Sequence, residues 1–196
     1  MEDRIEKWIS EVKAFNKSLG LLSRRAEDDI EELVRETISL LKGIQESEIA
    51  DLGAGSGLMG IIFSLLYPAS RVYLIERAHK KVMFLEHVAD KLGLHNVIVV
   101  GDELLKGRKR RFDALMSRAF SPMAELEQAV LKYLDHKGRF YYASTTRPRL
   151  DNTILRPTGS KQADCNPRIH LYTYVMNSPK GGQSQTSPGK GYLFTF

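Results

Sequence analysis

The stretch "IADLGAGSGLMG", residues 49–60, combines an acidic residue with four closely spaced glycines. Asp51 precedes Gly53, Gly55 and Gly57, which gives the spacing D-x-G-x-G-x-G. A strand that ends in a glycine turn and continues into a helix exposes backbone N–H groups and a helix N-terminus to a ligand. A carboxylate just before such a turn can also accept a hydrogen bond from an ammonium group of that ligand. The spacing therefore predicts a cofactor-binding turn.

Two cofactor classes fit these glycines. The order D-x-G-x-G-x-G is the form used for S-adenosylmethionine, whereas Gly55, Gly57 and Gly60 also spell the G-x-G-x-x-G of dinucleotide-binding turns. S-adenosylmethionine is favoured because Asp51 has no evident role in binding a dinucleotide. A nicotinamide-dependent oxidoreductase remains a distant alternative.

Acidic residues at the ends of the next two predicted strands extend the site. "RVYLIER" ends at Glu76, whose carboxylate can take both hydroxyls of a ribose. The third strand runs into "GDEL", where Asp102 or Glu103 would lie beside an adenine ring and accept from its exocyclic amine. The ends of the three strands thus offer backbone N–H groups, then a carboxylate for the ribose, then a carboxylate for the adenine, which is the order that an adenosine ligand requires.

The elements that must position these residues follow from the apolar spacing. Helical spacing over residues 2–15 and 26–43 predicts an N-terminal helical extension, residues 1–43, in which Trp8 is interpreted as a packing residue. From residue 44 to residue 196, strands alternate with helices, which predicts a mostly parallel α/β sheet in one domain that would bind the cofactor.

The end of the chain is predicted to differ from this alternation. Residues 145–165 are polar and are expected to be irregular. "RIHLYTYVM" and "GYLFTF" are expected to form a terminal antiparallel strand pair, joined by a loop rich in Gly, Ser, Pro and Gln.

The charges are distributed unevenly along the chain. The net charge is +5, but residues 106–196 carry 16 basic and 6 acidic side chains, whereas residues 1–50 carry 8 and 12. A strongly basic half favours a polyanionic partner such as RNA. "KGRKRR", residues 106–111, is predicted to lie in a loop on the ligand side of the sheet, although a solvated loop without a partner remains an alternative. The residues predicted to contact RNA phosphates are Arg108, Lys109, Arg110, Arg111, Arg147 and Arg149, with Arg156 as a further candidate.

Several protein classes are disfavoured by composition. Cys165 is the only cysteine, which excludes an internal disulfide and a thiolate metal cluster. The longest apolar run, "GIIFSLLYP", is too short to span a bilayer, and the polar start "MEDRIEKW" is not typical of a signal peptide. We therefore expect a cytoplasmic protein without a metal or a membrane partner.

Three segments resemble one protein family. "DLGAGSGLMGIIFSLLYP", "ERAHKKVMFLEHVADKLGLHNV" and "FDALMSRAF" are similar to the bacterial small-subunit ribosomal RNA guanine-N7 methyltransferases, the RsmG or GidB family. "SRAF", Ser117 to Phe120, is the most specific of these matches. The resemblance covers roughly residues 30–143 and implies a seven-stranded class I methyltransferase fold. It also implies methyl transfer from S-adenosylmethionine to ribosomal RNA or to the small ribosomal subunit, at the guanine atom N7.

The resemblance adds Leu58 and Arg118 to the residues derived from spacing. The full predicted set of cofactor-binding residues is Asp51, Gly53, Ala54, Gly55, Gly57, Leu58, Glu76, Arg77, Asp102, Glu103 and Arg118. Arg118 is also the candidate catalytic residue, through positioning of the donor or the base. A structural ion pair of Arg118 with Asp113 or Glu125 is the alternative.

The chain departs from the family pattern mainly on the substrate side. The family usually has a K-G pair after the fifth strand, where this chain has "YYASTTR", and an H-x-x-D-S-like motif in the second helix, where it has "RETISLL". An arginine that usually precedes the adenine-side acid is replaced by Gly101, and the family's "ERH" is present only as "PRIH". The cofactor half of the pattern therefore matches better than the substrate half.

The absence of a recognisable catalytic motif fits an N7 target. Guanine N7 carries a free lone pair at neutral pH, so its methylation requires positioning and electrostatics rather than a general base. Two other functions stay open: a methyltransferase of the same fold that acts on a small molecule or protein, and a non-catalytic RNA-binding relative.

Overall fold

The computed structural model describes residues 1–101, 110–119, 122–150 and 154–177. Its helices are α1 (Glu2–Leu19), α2 (Arg24–Asp28), α3 (Ile30–Leu41), α4 (Leu58–Leu66), α5 (His79–Lys91) and α6 (Met123–Tyr133). Its strands are β1 (Glu48–Leu52), β2 (Arg71–Glu76), β3 (Val97–Gly101), β4 (Phe112–Arg118), β5 (Leu134–Ser144), β6 (Leu155–Gln162) and β7 (His170–Met176).

The strands form one sheet of seven in the order β3-β2-β1-β4-β5-β7-β6. β1 to β5 are mutually parallel, whereas β7 runs antiparallel to both β5 and β6. Because these strands are parallel, the carboxyl ends of β1, β2 and β4 lie at one edge of the sheet. The chain reverses its winding between β3 and β4, which creates a topological switch point there. Ligands of open α/β sheets bind at such a switch point. The predicted fold class, a mostly parallel seven-stranded sheet with an antiparallel C-terminal strand, is confirmed.

Side-chain alternation divides the sheet between two apolar cores. Ile49 of β1 and Leu74 of β2 point to the face that is covered by α1, α3, α4 and α5. Their neighbours Leu52 and Ile75 point to the opposite face, which is covered by α6. The N-terminal helices thus contribute to the same core as the sheet, because Trp8 and Val12 of α1 are fully buried within it.

Two ion pairs fasten α1 to the domain. The buried carboxylate of Glu11 accepts from Lys91 Nζ at 2.6 Å and contacts His87 Nε2 at 2.7 Å, both on α5. These hydrogen bonds lower the pKa of Glu11 below its usual value, since they favour the ionised carboxylate.

The predicted helix over residues 26–43 is interrupted. α2 ends and α3 begins around Asp29, whose φ of −104° and ψ of 26° depart from helical values. Aspartate is a weak helix former because its short polar side chain competes for nearby backbone groups. The break turns α2 towards the glycine turn, which the sequence prediction did not foresee.

The prediction that residues 145–165 are irregular is wrong. β6 occupies Leu155–Gln162 and pairs antiparallel with β7 along its whole length. Most of its side chains are exposed, so the apolar alternation that marks a strand is missing, and Pro157 and Gly159 further weaken the signal. The other predicted partner of β7, "GYLFTF", lies outside the described residues.

Gly60 allows α4 to lie close to the sheet. A methyl group placed on its Cα would overlap the side chain of Leu74 and lie 3.2 Å from Asp51 Oδ2. Leu74 is fully buried, so it has little room to move away.

We expect Gly60→Ala to lower the free energy of unfolding by about 1–3 kcal/mol, the usual cost of overpacking a core. Gly159→Ala is the matched control, because no atom lies within 4 Å of the added carbon and its φ is ordinary. Urea denaturation of both variants measures the difference. Equal effects of the two substitutions would contradict close packing at Gly60.

Candidate active site

The glycine turn between β1 and α4 follows a left-handed backbone path. Gly53, Gly55 and Gly57 have φ values of 69°, 54° and 79°, a region that side-chain-bearing residues rarely adopt. The N–H groups of Gly53 and Ala54 donate to the carbonyl of Ile75 at 2.9 and 3.0 Å, which ties the turn to β2. The glycines are therefore required first by the shape of the turn.

A cavity of about 480 Å³ opens beside this turn. It brings together most of the predicted cofactor-binding residues, namely Asp51, Gly53, Ala54, Gly55, Leu58, Glu76 and Arg118. Its opposite wall is formed by N-terminal residues that the sequence prediction missed: Leu21, Leu22, Ser23, Ala26 and Leu33. Gly57 and Arg77 do not line the cavity. The N-terminal helices thus take part in the site rather than lying apart from it.

Asp51 is a buried carboxyl group with one hydrogen-bond partner. Its Oδ2 accepts from the Gly60 N–H at 2.9 Å, in the first turn of α4, and the residue is 2% exposed. Burial raises the pKa of Asp51 to about 7, although the Gly60 N–H opposes this shift, and the nearby charge of Glu76 raises the pKa further. Asp51 can therefore gain a proton near neutral pH, and a cation in the cavity would favour its ionised form.

The carboxylate of Glu76 accepts hydrogen bonds from three backbone N–H groups. Oε2 accepts from Gly55 at 3.0 Å, and Oε1 accepts from Arg77 at 2.8 Å and from Ala78 at 2.9 Å. Each oxygen can accept two hydrogen bonds, so Oε2 keeps a free lone pair. Glu76 both holds the turn in place and offers an acceptor to a ligand at the end of β2.

Arg118 lies at the end of β4 and pairs with a residue that was not predicted. Its Nη2 is 2.8 Å from Glu36 Oε2, and its Nη1 donates to Thr37 Oγ1 at 3.2 Å, so both partners come from α3. The alternative pairing with Asp113 or Glu125 is wrong. Glu125 instead pairs with the exposed Arg77 at 3.1 Å, which leaves the Arg77 side chain outside the cavity.

A second cavity of about 250 Å³ adjoins the first. Arg118 belongs to the walls of both cavities, and the second is further lined by Glu36 and Asn166. The sequence analysis noted "RETISLL", which contains Glu36, only as a departure from the family pattern, because the contacts of Glu36 with Arg118 and Asn166 join residues that are far apart in the chain.

The side chain of Trp8 forms a hydrogen bond with the backbone of the glycine turn. Its indole Nε1 donates to the carbonyl of Ser56 at 3.0 Å, between Gly55 and Gly57, and the side chain is fully buried. The sequence predicted only packing for Trp8. Apolar spacing identifies the buried position but not the hydrogen bond across 48 residues.

The predicted place of "KGRKRR" on the ligand side of the sheet is wrong for the part of it that the structure describes. Arg110 Nη2 donates to Glu48 Oε2 at 2.8 Å and to the hydroxyl of Tyr73 at 2.6 Å, and Arg111 donates to the carbonyl of Leu134. Glu48 begins β1, so these arginines lie at the amino ends of the strands, about 13 Å from the turn. A connection between parallel strands must cross from the carboxyl end of one to the amino end of the next.

The remaining predicted residues divide into two groups. Asp102, Glu103, Arg108 and Lys109 lie outside the described residues. Arg147 and Arg149 are exposed and follow β5 in the chain, with the Arg147 side chain close to Tyr174 of β7, whereas Arg156 lies near the amino end of β5, in register with Val175.

The described part of the chain contains neither a metal-binding cluster nor a membrane-spanning helix. Within residues 1–101, 110–119, 122–150 and 154–177, no three His, Cys, Asp or Glu side chains lie close enough together to hold a metal ion. Over the same ranges, no helix combines the length and apolarity needed to cross a membrane.

Solved structures share this architecture. A mutant of MtNAS in complex with S-adenosylmethionine superposes with a TM-score of 0.62 at 22% identity, over 91% of this chain and 73% of that chain. A precorrin methyltransferase from Geobacter metallireducens gives a TM-score of 0.50 at 20% identity, over 75% and 87% of the two chains. At these identities the likeness concerns the fold alone.

Relatives that are similar in sequence indicate a narrower class of protein than the solved structures do. The chain is 36% identical over 124 residues to a ribosomal RNA small subunit methyltransferase G of Nitrosospira multiformis, covering 62% of this chain and 57% of the relative. A Francisella philomiragia protein of the same name is 34% identical over 128 residues, covering 61% and 60%. The match thus spans about three fifths of the length of these relatives. The family model described as GidB, rRNA small subunit methyltransferase G, matches residues 1–152. The chain therefore belongs to the rRNA small subunit methyltransferase G family.

Proposed function

We propose that the cavity beside the glycine turn binds S-adenosylmethionine and that the protein transfers its methyl group to RNA. The observation that carries this proposal is the meeting of Asp51, the glycine turn and Glu76 around one cavity. Asp51 would accept from the ammonium group of the donor, and the free lone pair on Glu76 Oε2 would accept from one ribose hydroxyl, rather than from both. The solved relative that contains S-adenosylmethionine has the same fold, which supports this choice.

The residues around the cavity suit a reaction that needs positioning. When bound, S-adenosylmethionine supplies a methyl group on a positively charged sulfur, which an in-line lone pair can attack. Leu21, Leu22 and Leu33 exclude water from one side of the cavity. Arg118, fixed by Glu36 and Thr37, orients the groups at the boundary between the two cavities. No residue is required to remove a proton if the acceptor is the N7 lone pair of guanine.

Small-subunit ribosomal RNA is the proposed substrate, with N7 of a guanine as the proposed target. Family membership supports this substrate class, and the exposed Arg147 and Arg149, which follow β5 in the chain, add positive charge to the surface. Such arginines fit phosphate contacts that orient an RNA without reading its sequence. A cytoplasmic location follows from such a substrate.

Nucleoside mass spectrometry tests the substrate directly. Ribosomal RNA from cells with and without the gene is digested, and the 7-methylguanosine content of the small-subunit RNA is compared. Loss of one modified guanosine, and its return with the plasmid-borne gene, is the expected result. Unchanged modification with retained binding of the donor would favour a small-molecule or protein substrate.

Replacing Glu76 tests how the cofactor is held. We expect Glu76→Gln to weaken S-adenosylmethionine binding by roughly ten- to hundredfold, since an acceptor for the ribose is lost. Glu125→Gln is the control, because it removes the same charge from an exposed position outside the cavity. Isothermal titration calorimetry gives both affinities, and a melting curve of each variant reports folding. Equal affinities would exclude a ligand that lies across the end of β2.

The pKa of Asp51 makes donor binding depend on pH. Below about pH 7 the carboxyl group is protonated, so it must release a proton before it can pair with an ammonium group. Affinity for S-adenosylhomocysteine should therefore rise roughly tenfold between pH 6 and pH 7.5, where the amino group of the ligand, with a pKa of about 8, is still charged. Asp51→Asn should bind more weakly and lose this dependence. A parallel pH dependence in both proteins, measured by calorimetry, would argue against a contact between Asp51 and the ammonium group.

We expect the exposed arginines that follow β5, and not those at the amino ends of the strands, to contact RNA. We expect Arg147→Ser with Arg149→Ser to flatten the slope of log K against log salt by about one to two units, because each phosphate contact contributes roughly 0.7–0.9. Arg110→Ser with Arg111→Ser, at the amino ends of the strands, removes the same charge and should leave the slope unchanged. Filter binding of small-subunit ribosomal RNA over a salt series measures all three proteins. Three parallel slopes would exclude Arg147 and Arg149 from the RNA surface.

A further inference from the structure

The two cavities at the carboxyl ends of the strands are neighbours. Ser23, Ala26, Leu33 and Arg118 line both of them, so the smaller cavity is separated from the proposed donor cavity only by shared side chains. A methyl acceptor must come within about 3 Å of the donor carbon, in line with the bond that breaks. The smaller cavity is therefore the described space in which an acceptor group could meet the donor.

The charged side chains of the smaller cavity are balanced. Asp29, Glu32 and Glu36 face Arg25 and Arg118 in its lining, and Glu32 is also paired with Arg35 at 2.7 Å. The lining therefore has no excess of positive charge that would favour a phosphate group, and its carboxylate oxygens suit an occupant that offers hydrogen-bond donors.

Glu36 is the best-fixed acceptor in this cavity. It is 6% exposed, its Oε2 accepts from Arg118 Nη2 at 2.8 Å, and its Oε1 accepts from Asn166 Nδ2. Each carboxylate oxygen has a second lone pair, so two neighbouring acceptor positions remain on a side chain that cannot turn away. Side chains that are fixed in this way read a ligand more precisely than mobile surface acids.

We propose, on the basis of the methyl-transfer function above, that the smaller cavity receives the target base and that Glu36 selects guanine. Guanine carries a ring N–H next to an exocyclic amine, two adjacent donors that match the two oxygens of a carboxylate. Adenine has an acceptor nitrogen beside its amine, and this nitrogen would face the negative charge of Glu36 unfavourably. Glu36 thus acts as a specificity-determining residue, while Arg147 and Arg149 are left to contact the phosphates outside the cavity.

Titration with nucleotides, followed by NMR of the ¹⁵N-labelled full chain saturated with S-adenosylhomocysteine, tests this assignment. The indole N–H of Trp8, the only tryptophan, reports on the donor cavity through its hydrogen bond to Ser56. The side-chain amide of Asn166 reports on the smaller cavity through its hydrogen bond to Glu36. S-adenosylhomocysteine should shift the indole signal, and guanosine monophosphate should then shift the Asn166 amide.

We expect guanosine monophosphate to bind at least about tenfold more tightly than adenosine monophosphate, with inosine monophosphate between them because it lacks the exocyclic amine. Glu36→Gln should abolish this ranking and keep the affinity for S-adenosylhomocysteine within about threefold. Thr37→Val is the matched control, because it removes the other partner of Arg118 and leaves the carboxylate in place. Thr37→Val should keep the ranking of the nucleotide affinities. If it does, the loss of the ranking in Glu36→Gln comes from the carboxylate itself and not from a displaced Arg118.

Several results would overturn the assignment. They are equal binding of guanosine and adenosine monophosphates, no shift of the Asn166 amide with either of them, or the same loss in Glu36→Gln and Thr37→Val. Displacement of guanosine monophosphate by spermidine at equal concentration would identify an amine site instead. If S-adenosylhomocysteine itself fails to bind, the proposed function fails; if it binds and the nucleotides show no ranking, only the role of Glu36 fails.

Discussion

The hydrogen bond from the Gly60 N–H to the buried carboxylate of Asp51 is the contact on which the site geometry depends. It joins the end of β1 to the first turn of α4, and it can form only because Gly60 has no side chain to separate helix and strand. The chain must therefore turn within Gly53 to Gly57, which explains the positive φ values there. Burial raises the pKa of Asp51 to about 7, and the Gly60 N–H limits this rise because it stabilises the ionised carboxylate. The close approach of α4 to β1 thus fixes the shape of the turn, and the hydrogen bond that it allows keeps the buried carboxyl group able to ionise.

The parts of the molecule that follow from local sequence were predictable. Alternating strands and helices gave the parallel sheet, and the spacing of Asp51, the turn glycines and Glu76 placed their residues around one cavity, because parallel strands bring their carboxyl ends together. Strand β6 was missed for a physical reason. Most of its side chains are exposed, so it lacks apolar alternation, and periodicity detects only the burial of side chains.

Contacts between distant segments could not be predicted from local patterns. The alternative interpretation of Arg118 paired it with an acid on nearby β4 or α6, yet its partner Glu36 comes from α3, 82 residues earlier. The burial of Trp8 followed from helical spacing, but its hydrogen bond to Ser56 depends on how α1 is placed by Glu11 and α5. In the same way, "KGRKRR" has a composition that favours RNA binding. The direction of the crossover nevertheless puts Arg110 and Arg111 at the amino ends of the strands, where they donate hydrogen bonds to Glu48 and to the carbonyl of Leu134. Composition gives the charge of a segment, whereas topology gives its position.

The N-terminal helices connect these observations. Trp8 satisfies a buried carbonyl of the glycine turn that would otherwise lack a partner, Leu21 and Leu33 close the donor cavity, and Glu36 fixes Arg118. A buried carbonyl without a hydrogen bond destabilises a structure by about 1–3 kcal/mol, so the turn depends on α1 as well as on its own glycines. The departures from the family pattern include α3 and the segment after β5, but also Gly101 at the end of β3 and the "PRIH" segment. The donor cavity and the smaller cavity share four lining residues, among them Leu33 and Arg118, so the N-terminal helices shape both the donor space and the proposed acceptor space.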